Sequence, residues 1–505
     1  MSSFLEWIKF IPYVIPFLLI PLVALSKVRS YLKRDIRQGR RRLLTATKPL
    51  VDNHPPFIIG YFHPYCNAGG GGERVLWTMI QSLQAKHPYI LHAIYTGDVD
   101  VSKETMLENV KNRFNIDIDP DTVDLIYLKT RSWVEASKYP RFTMLGQSLG
   151  SMVLGWEAMS QLIPDIFFDT MGYAFTYPIV KGLAECRVAA YVHYPTISTD
   201  MLASVKSRDT AVNNSGVVAS SPLLSQLKIC YYRIFAVLYG AVGSLADVVM
   251  VNSTWTQGHI RELWGSQKAD IVFPPCDTHA LTSLSVEGRK PHIISVAQFR
   301  PEKNHKLQLH ALAELFRTHP EYRCQKEAVE LIVLGSVRDS FDQTRVDELV
   351  LLAKHLEIQV IVKQYKLIKK DSVRFVVNAS YSSLLEHLQS SLIGLHTMAN
   401  EHFGIGVVEL MAAGLIPIAH DSAGPKMDII SATHNDQVCH GFLAKEAEEY
   451  AEYFAKVLGQ WEKEPSELQR LQKINQQVAH ANFSAEHFSD TFLSKFEPHI
   501  SPTSS

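Results

Sequence analysis

The chain has 505 residues, 46% of them hydrophobic and 10% aromatic, with 50 Lys and Arg against 51 Asp and Glu. This balance excludes a disordered, collagen-like or disulfide-stapled chain, and at roughly 100–200 residues per domain it predicts several domains with sizeable cores. A net charge of −1 speaks against nucleic acid as a partner, and six Cys without a CxxC spacing predict reduced thiols.

Residues 10–26 hold no charge, and residues 27–42 then carry eight Lys and Arg against Asp35 alone. An uncharged run of about 17–20 apolar residues is long enough to span a bilayer. Pro12, Pro16 and Pro21 are tolerated better there than in a helix in water. The charges follow the apolar run and no small-x-small site precedes them, so the segment reads as an uncleaved anchor and not a signal peptide. The positive-inside rule then places everything from residue 27 onward in the cytosol. Residues 1–42 are thus read as a single-pass membrane anchor with a basic arm and membrane lipids as partners. An interfacial hairpin, or a buried helix with a solvated basic arm, is the alternative.

Next come alternating strand-like and helix-like segments. Phe57–Phe62, Ile90–Tyr95, Val123–Leu128, Asp165–Phe168, Val188–Val192 and Asp247–Val251 are apolar runs of strand length. The rhythm restarts after the polar stretch Leu284–Pro291 with His292–Ala297, Val329–Leu334, Ile358–Val362, Leu392–Thr397 and Ile416–His420. Strands separated by helical patterns imply parallel sheets covered by helices. The boundaries read as 43–285 for a first Rossmann-like domain, 286–470 for a second, and 471–505 for a helical tail. Ile229–Val251, charged only at Arg233 and Asp247, reads either as a membrane segment or, preferably, as a buried helix followed by a core strand. Its aromatic residues Tyr231, Tyr232, Phe235 and Tyr239 are candidates to touch a membrane surface.

Three motifs carry chemistry. Gly69-Gly70-Gly71-Gly72-Glu73-Arg74 follows the first strand and opens a helix, a place where backbone N–H groups approach a phosphate or sugar. Ser295–His305 leaves the first strand of the second domain and carries Arg300 and Lys303, cations suited to a leaving diphosphate. Asn400–Glu409 follows strand Leu392–Thr397, with Glu401 in the loop, Gly404-Ile405-Gly406 at a helix start and Glu409 in its first turns. Asp98-Val-Asp100, Asp117-Ile-Asp119 and Asp119-Pro-Asp121 match the D-x-D pattern of cation sites but read as solvated turns.

The blocks IGYFHPYCNAGGGGERVLW, FTMLGQSLGSMVLGWEA, YVHYPTISTDML, DVVMVNSTWT, VFPPCD, QFRPEKNH and NEHFGIGVVELMAAG, together with the E-x7-E pair, span residues 59–414. They resemble the endoplasmic-reticulum α-1,2-mannosyltransferases of the asparagine-linked glycosylation pathway, which are retaining GT-B glycosyltransferases. The resemblance implies an α/β GT-B fold, two facing Rossmann-like domains with a cleft between them, on the endoplasmic-reticulum membrane. It implies GDP-mannose as donor, a dolichol-diphosphate-linked oligosaccharide as acceptor, and two successive α-1,2 additions at the cytosolic face. No cofactor and no metal are implied, and other mannosyltransferases of the pathway are implied partners.

Residue by residue, the resemblance assigns Glu401 to the donor sugar, Glu409 to the nucleotide ribose and Lys303 to the diphosphate. Arg300 stands two positions beyond the family's usual Arg, where this chain has Gln298. His193 matches a His that approaches the donor sugar. Gly69, Gly70, Gly71 and Gly72 match a loop closing over diphosphate and acceptor. Phe403, Gly404 and Ile405 belong to the substrate-binding motif, and Asp428 replaces a more usual Glu. A non-catalytic scaffold on the same fold, or a transferase for another lipid-linked acceptor, is the alternative. A nicotinamide-dependent dehydrogenase is set aside because GxGxxG is missing.

Overall fold

The computed structural model describes residues 57–197, 222–324, 329–358, 360–362, 373–430 and 440–500, together with Lys27 and Ser30. The expected anchor, nearly all of its basic arm and the end of the YVHYPTISTDML block lie outside the described residues. Among the described residues no helix is long and apolar enough to cross a membrane.

The chain divides into two units. In the first, β1 (Phe57–Phe62), β2 (Ile90–Thr96), β3 (Val123–Tyr127), β4 (Ile166–Asp169), β5 (Arg187–Val192), β6 (Val248–Val251) and β7 (Ala269–Ile271) form one sheet in the order β3-β2-β1-β4-β5-β6-β7. The pairings from β3 through β6 are parallel. All six residues of β1 are buried, as expected of a central strand covered by helices on both faces. Strand order reverses between β1 and β4, and ligands of such sheets bind beyond the carboxyl ends of the strands at that point.

The second unit repeats the plan. Here β8 (His292–Val296), β9 (Glu330–Gly335), β10 (Val360–Val362), β11 (Val373–Val377), β12 (Ile393–His396), β13 (Ile416–His420) and β14 (Phe442–Ala444) run parallel in the order β10-β11-β9-β8-β12-β13-β14. The switch point lies between β8 and β12. One face of the sheet is covered by helices His305–Thr318 and Ala447–Lys463, which pack on each other. On the other face, helix Ile405–Ala412 is held by helix Pro465–Phe483.

Two boundary expectations are corrected. The division falls between residues 251 and 271, earlier than 285/286, and Asn252–Gln257 belong to the second unit. The predicted tail is not separate: residues 471–494 pack into the second unit, whereas the chain from Lys495 onward belongs to the first, where Phe496 lies against Phe168 at 5.2 Å between ring centroids. The apolar run Ile229–Val251 resolves into the end of helix Pro222–Gly243, then β6. Its aromatic residues do not face outward as a set. Tyr232, Phe235 and Tyr239 are buried, and Leu227, Ile234, Val237 and Leu238 are exposed instead.

Candidate active site

In the second unit the site is built at the carboxyl ends of β8 and β12. Beyond β8, a short turn Pro301–Lys303 presents Lys303, and Asn304 in the left-handed region turns the chain into helix His305–Thr318. Thr397, just past β12, donates its hydroxyl to the Lys303 carbonyl at 2.8 Å. Gln308 donates Nε2 to both Ser295 Oγ and Thr397 Oγ1 at 2.9 Å. These buried bonds tie the two strand ends and the lysine turn together. Lys303 Nζ then donates to Glu401 Oε2 at 2.7 Å and to Met398 Sδ at 3.1 Å. His396 Nε2 lies 3.3 Å from the same Glu401 oxygen.

The electrostatics of Glu401 follow from these contacts. Its side chain is 16% exposed, and burial alone would raise its pKa. The His396 hydrogen bond and the Lys303 charge outweigh burial and hold it well below the usual carboxylate range. Glu401 is therefore an anion at neutral pH, suited to accept hydrogen bonds and to face developing positive charge, and unsuited to donate a proton.

The loop bearing Glu401 is clamped from behind. Asn400 N–H donates to Ser422 Oγ at 2.8 Å, and Gly424 N–H to the Glu401 carbonyl at 3.0 Å. A Cβ on Gly424 would stand 2.3 Å from the Phe403 carbonyl oxygen, so only glycine allows this approach. Gly404 caps helix Ile405–Ala412 at φ +105°, outside the range L-residues adopt readily. Among the described residues, the Ile405 and Gly406 N–H groups have no backbone partner, and open space lies over the Gly406 α-carbon. A first turn with free N–H groups of this kind favours an anion.

Other expected residues are placed as follows. The Phe403 ring is buried against Phe273 and Phe483, with centroids 5.4 and 5.5 Å away, so its side chain belongs to the core and only its backbone borders the loop. Glu409 is half-buried on helix Ile405–Ala412. The structure does not bring Arg300 to Glu401. Its guanidinium stands 3.9 Å from Glu302, and its buried Nε has no hydrogen-bond partner among the described residues. Asp428 accepts the Thr254 N–H at 3.0 Å, and burial pushes it up to about 6.

In the first unit, Gly71 and Gly72 open helix Gly71–Lys86, and His193 follows β5. A Cβ on Gly72 would lie 3.4 Å from His193 Nε2, so helix start and imidazole are brought together. The glycine-rich loop departs from expectation in one respect. The Glu73 carboxylate accepts the N–H groups of Ala68 (2.7 Å) and Gly69 (2.8 Å) and, more distantly, that of Gly70. Those donors already hold an internal anion, which leaves the first helical turn at Gly71 and Gly72 as the anion-facing backbone. Burial is the leading cause that raises the Glu73 pKa, opposed by these N–H bonds. Behind the loop, His63 Nδ1 lies 2.7 Å from Thr170 Oγ1, and burial lowers its pKa to about 3.

Three of the D-x-D aspartates serve local structure. Asp98 accepts the Asn67 N–H at 3.1 Å and pairs with Arg131. Asp117 pairs with Lys111 at 2.6 Å, and Asp119 caps its own turn through the Asp121 N–H at 2.9 Å. His396, which contacts Glu401, Gln308, which ties the two strand ends, and Glu73, which holds the glycine loop, brace the expected site residues and were not singled out from the sequence. The available signal was position: His396 and Thr397 end a strand just before the Glu401 loop.

Residues 56–264 match the family model described as ALG11 mannosyltransferase N-terminus, and residues 282–478 match Glycosyl transferases group 1. The chain is 47% identical over 449 residues to a Dictyostelium discoideum protein named GDP-Man:Man(3)GlcNAc(2)-PP-Dol alpha-1,2-mannosyltransferase, covering 88% of this chain and 85% of the relative. The Homo sapiens protein of the same name is 44% identical over 470 residues, covering 91% of each. Among solved structures, Anabaena Alr3699/HepE in complex with UDP and glucose aligns with a TM-score of 0.56 at 15% identity, covering 87% of this chain and 99% of that one. A trehalose 6-phosphate synthase from Burkholderia multivorans aligns with a TM-score of 0.60 at 12% identity, covering 88% and 99%. The solved structures share the fold of two Rossmann-like units, and identity sustained over nearly nine-tenths of the chain shows that it belongs to the family of GDP-Man:Man(3)GlcNAc(2)-PP-Dol alpha-1,2-mannosyltransferases.

Proposed function

We propose that this chain transfers mannose from GDP-mannose to Man3GlcNAc2-diphospho-dolichol, forming α-1,2 linkages, two in succession, at the cytosolic face of the endoplasmic reticulum. The observation that carries the reading is the Lys303–Glu401–His396 cluster at the carboxyl ends of β8 and β12, in a chain of this family. GDP-mannose is α-linked and so is the product, hence configuration is retained. Glu401 is held by Lys303 and His396 as a fixed anion, which suits an acceptor for the donor sugar's hydroxyls better than a proton donor. Front-face attack by the acceptor hydroxyl, with its proton passing to the departing phosphate, then needs mainly charge stabilisation and alignment.

Lys303 and the first turn of helix Ile405–Ala412 are the groups suited to that departing phosphate, and Arg300 is assigned there by the family resemblance alone. A donor diphosphate would draw Lys303 partly away from Glu401 and free the carboxylate for the sugar. Glu409 is assigned to the nucleotide ribose. His193 and the Gly71–Gly72 helix start are assigned to the transferred sugar and its phosphate. The positive charge of Lys303 and the local engagement of Asp98, Asp117 and Asp119 support transfer without a divalent cation.

Membrane association supports the same reading. Helix Pro222–Gly243 bears no Asp or Glu and exposes Leu227 (59%), Ile234 (58%) and Val237 (72%) on one outward stripe, with Lys228 and Arg233 on the same helix. Exposed apolar patches with basic flanks suit an anionic lipid surface. An anchor over residues 1–42 would confine the enzyme to the plane of its lipid-linked acceptor and raise the effective concentration. The test is a transfer assay with GDP-mannose, Man3GlcNAc2-diphosphate lipid and EDTA. Addition of α-1,2-mannosidase-sensitive hexoses supports the reading. Transfer that requires Mn²⁺ contradicts metal independence, and no transfer under either condition contradicts the function.

A further inference from the structure

Helix Thr143–Gln161 carries one of the blocks singled out in the sequence, and neither Lys303 nor Glu401 explains it. Its three sides do different things. Gly146 and Gly150 let residues 131–139 press directly on it; a Cβ on Gly150 would stand 1.9 Å from the Trp133 carbonyl oxygen. Phe142, Leu149 and Val153 are exposed, and Phe142 stands in the left-handed region at φ +53° with its ring 5.3 Å from Tyr231 of helix Pro222–Gly243. Met144, Gln147, Ser148 and Ser151, at i, i+3, i+4 and i+7, form the wall of a cavity of about 160 Å³.

The opposite wall is the turn Met171–Phe175 after β4, closed by Thr196 after β5. Buried Asp169 shapes that turn by accepting the Met171 and Gly172 N–H groups at 2.9 and 3.0 Å and the Tyr177 hydroxyl at 2.8 Å. The cavity thus lies at the carboxyl ends of β4 and β5, the end of the sheet at which α/β units bind ligands. Among the described residues, no Asp, Glu, Lys, Arg or His lines it. Gln147, whose Nε2 is held by the Val134 carbonyl at 2.8 Å, keeps its Oε1 as an acceptor, and Ser148 and Thr196 add hydroxyls. Tyr173 and Phe175 add aromatic rings. An uncharged lining of hydroxyl, amide and aromatic groups does not suit a diphosphate or a nucleotide phosphate. It suits a neutral sugar ring, and its volume suits one ring and not an oligosaccharide.

We propose that this cavity is a subsite for one pyranose of the lipid-linked acceptor, with Gln147 and Ser148 as residues that set acceptor affinity. The inference rests on the transferase reading above. Helix Thr143–Gln161 then serves both halves of an amphipathic acceptor, with a polar wall for sugar and an apolar outer side compatible with lipid.

The experiment uses the full-length chain with GDP-mannose and Man3GlcNAc2-diphosphate lipid, comparing wild type with Gln147→Leu and Ser148→Val. The expected result is an acceptor KM raised about tenfold or more with GDP-mannose affinity unchanged in both variants, and with the melting temperature unchanged in Ser148→Val, since Gln147→Leu also gives up the bond to the Val134 carbonyl. Acceptor KM within twofold of wild type in both variants overturns the subsite while leaving the transferase intact. Loss of GDP-mannose binding in step with acceptor affinity also overturns it. Wild type that transfers no mannose to the lipid overturns the transferase reading and this inference with it. A second measurement needs no variant. Oxidative footprinting of wild type should show Met144 and Met171 protected by the acceptor lipid and not by GDP-mannose, and equal oxidation with and without acceptor contradicts the proposal.

Discussion

His63 and His92, lowered by burial to about 3, and His292 and His305, lowered chiefly by burial to about 4, enter the folded state neutral. A base depressed on folding contributes stability that is full above its unfolded pKa near 6.5 and is lost as pH falls toward the folded value. Asp169 and Asp428, raised by burial to about 6, act in the opposite sense, contributing below about 4 and losing that contribution as pH rises through 6. Four groups of the first kind against two of the second leave the unfolded chain binding more protons between about pH 4 and 6. The melting temperature should therefore fall as pH is lowered from 6.5 to 4, as read by thermal scans at constant ionic strength. A flat or rising profile would contradict these burials. Lys303 and Glu401 were legible at this scale, because a cation after one strand end and an acid after another are written in the chain. Their closure at 2.7 Å and the part played by His396 were not, because contact across 98 positions depends on how β8 and β12 pair.

At the scale of elements, apolar runs of strand length reported nearly all the central strands, with β1 and β13 matching to the residue. The strands missed have physical explanations. β7 and β14 are three-residue edge strands, too short for periodicity to register. β11 is interrupted by Arg374, which reads as a surface residue until its guanidinium is seen 2.7 Å from Glu330 on neighbouring β9. The helix start at Gly404 was readable from its glycines, but the clamp behind it was not. Gly424 contacts the Glu401 loop from a turn that carries no recognisable motif. Gly424→Ala should shift the Phe403 carbonyl, misplace Glu401 and the anion-facing turn, and weaken GDP-mannose binding about tenfold or more, since misplacement by about 1 Å costs on the order of 100-fold in rate. Isothermal titration reads the affinity, and an unchanged dissociation constant would show that the loop has slack.

For the whole molecule, the restart of the strand rhythm near residue 290 identified two Rossmann-like units. It placed their boundary too late because Asn252–Gln257 leave β6 and join the second unit before any composition change. The C-terminal helices were read as a tail because polar faces rich in Glu, Gln and Lys conceal buried stripes such as Leu468, Ala479 and Phe483. The exposed side of helix Pro222–Gly243 carries a prediction about how the molecule meets a membrane. Ile234→Asp with Val237→Asp should reduce binding to vesicles containing anionic phospholipid, measured by flotation after proteolytic removal of residues 1–42, without lowering the melting temperature. Equal flotation of variant and parent would show that this stripe does not meet lipid.

The central claim is that the Lys303–Glu401–His396 cluster is the donor-sugar end of a mannosyltransferase. The most direct measurement compares wild type with Glu401→Gln for GDP-mannose affinity and for mannose transfer to Man3GlcNAc2-diphosphate lipid. Gln keeps the side-chain shape and removes the charge that Lys303 and His396 hold in place. Transfer should fall about 100-fold or more, the magnitude associated with losing a preorganised electrostatic group, while GDP-mannose affinity changes only a few-fold. Transfer at the wild-type rate by Glu401→Gln would contradict the assignment.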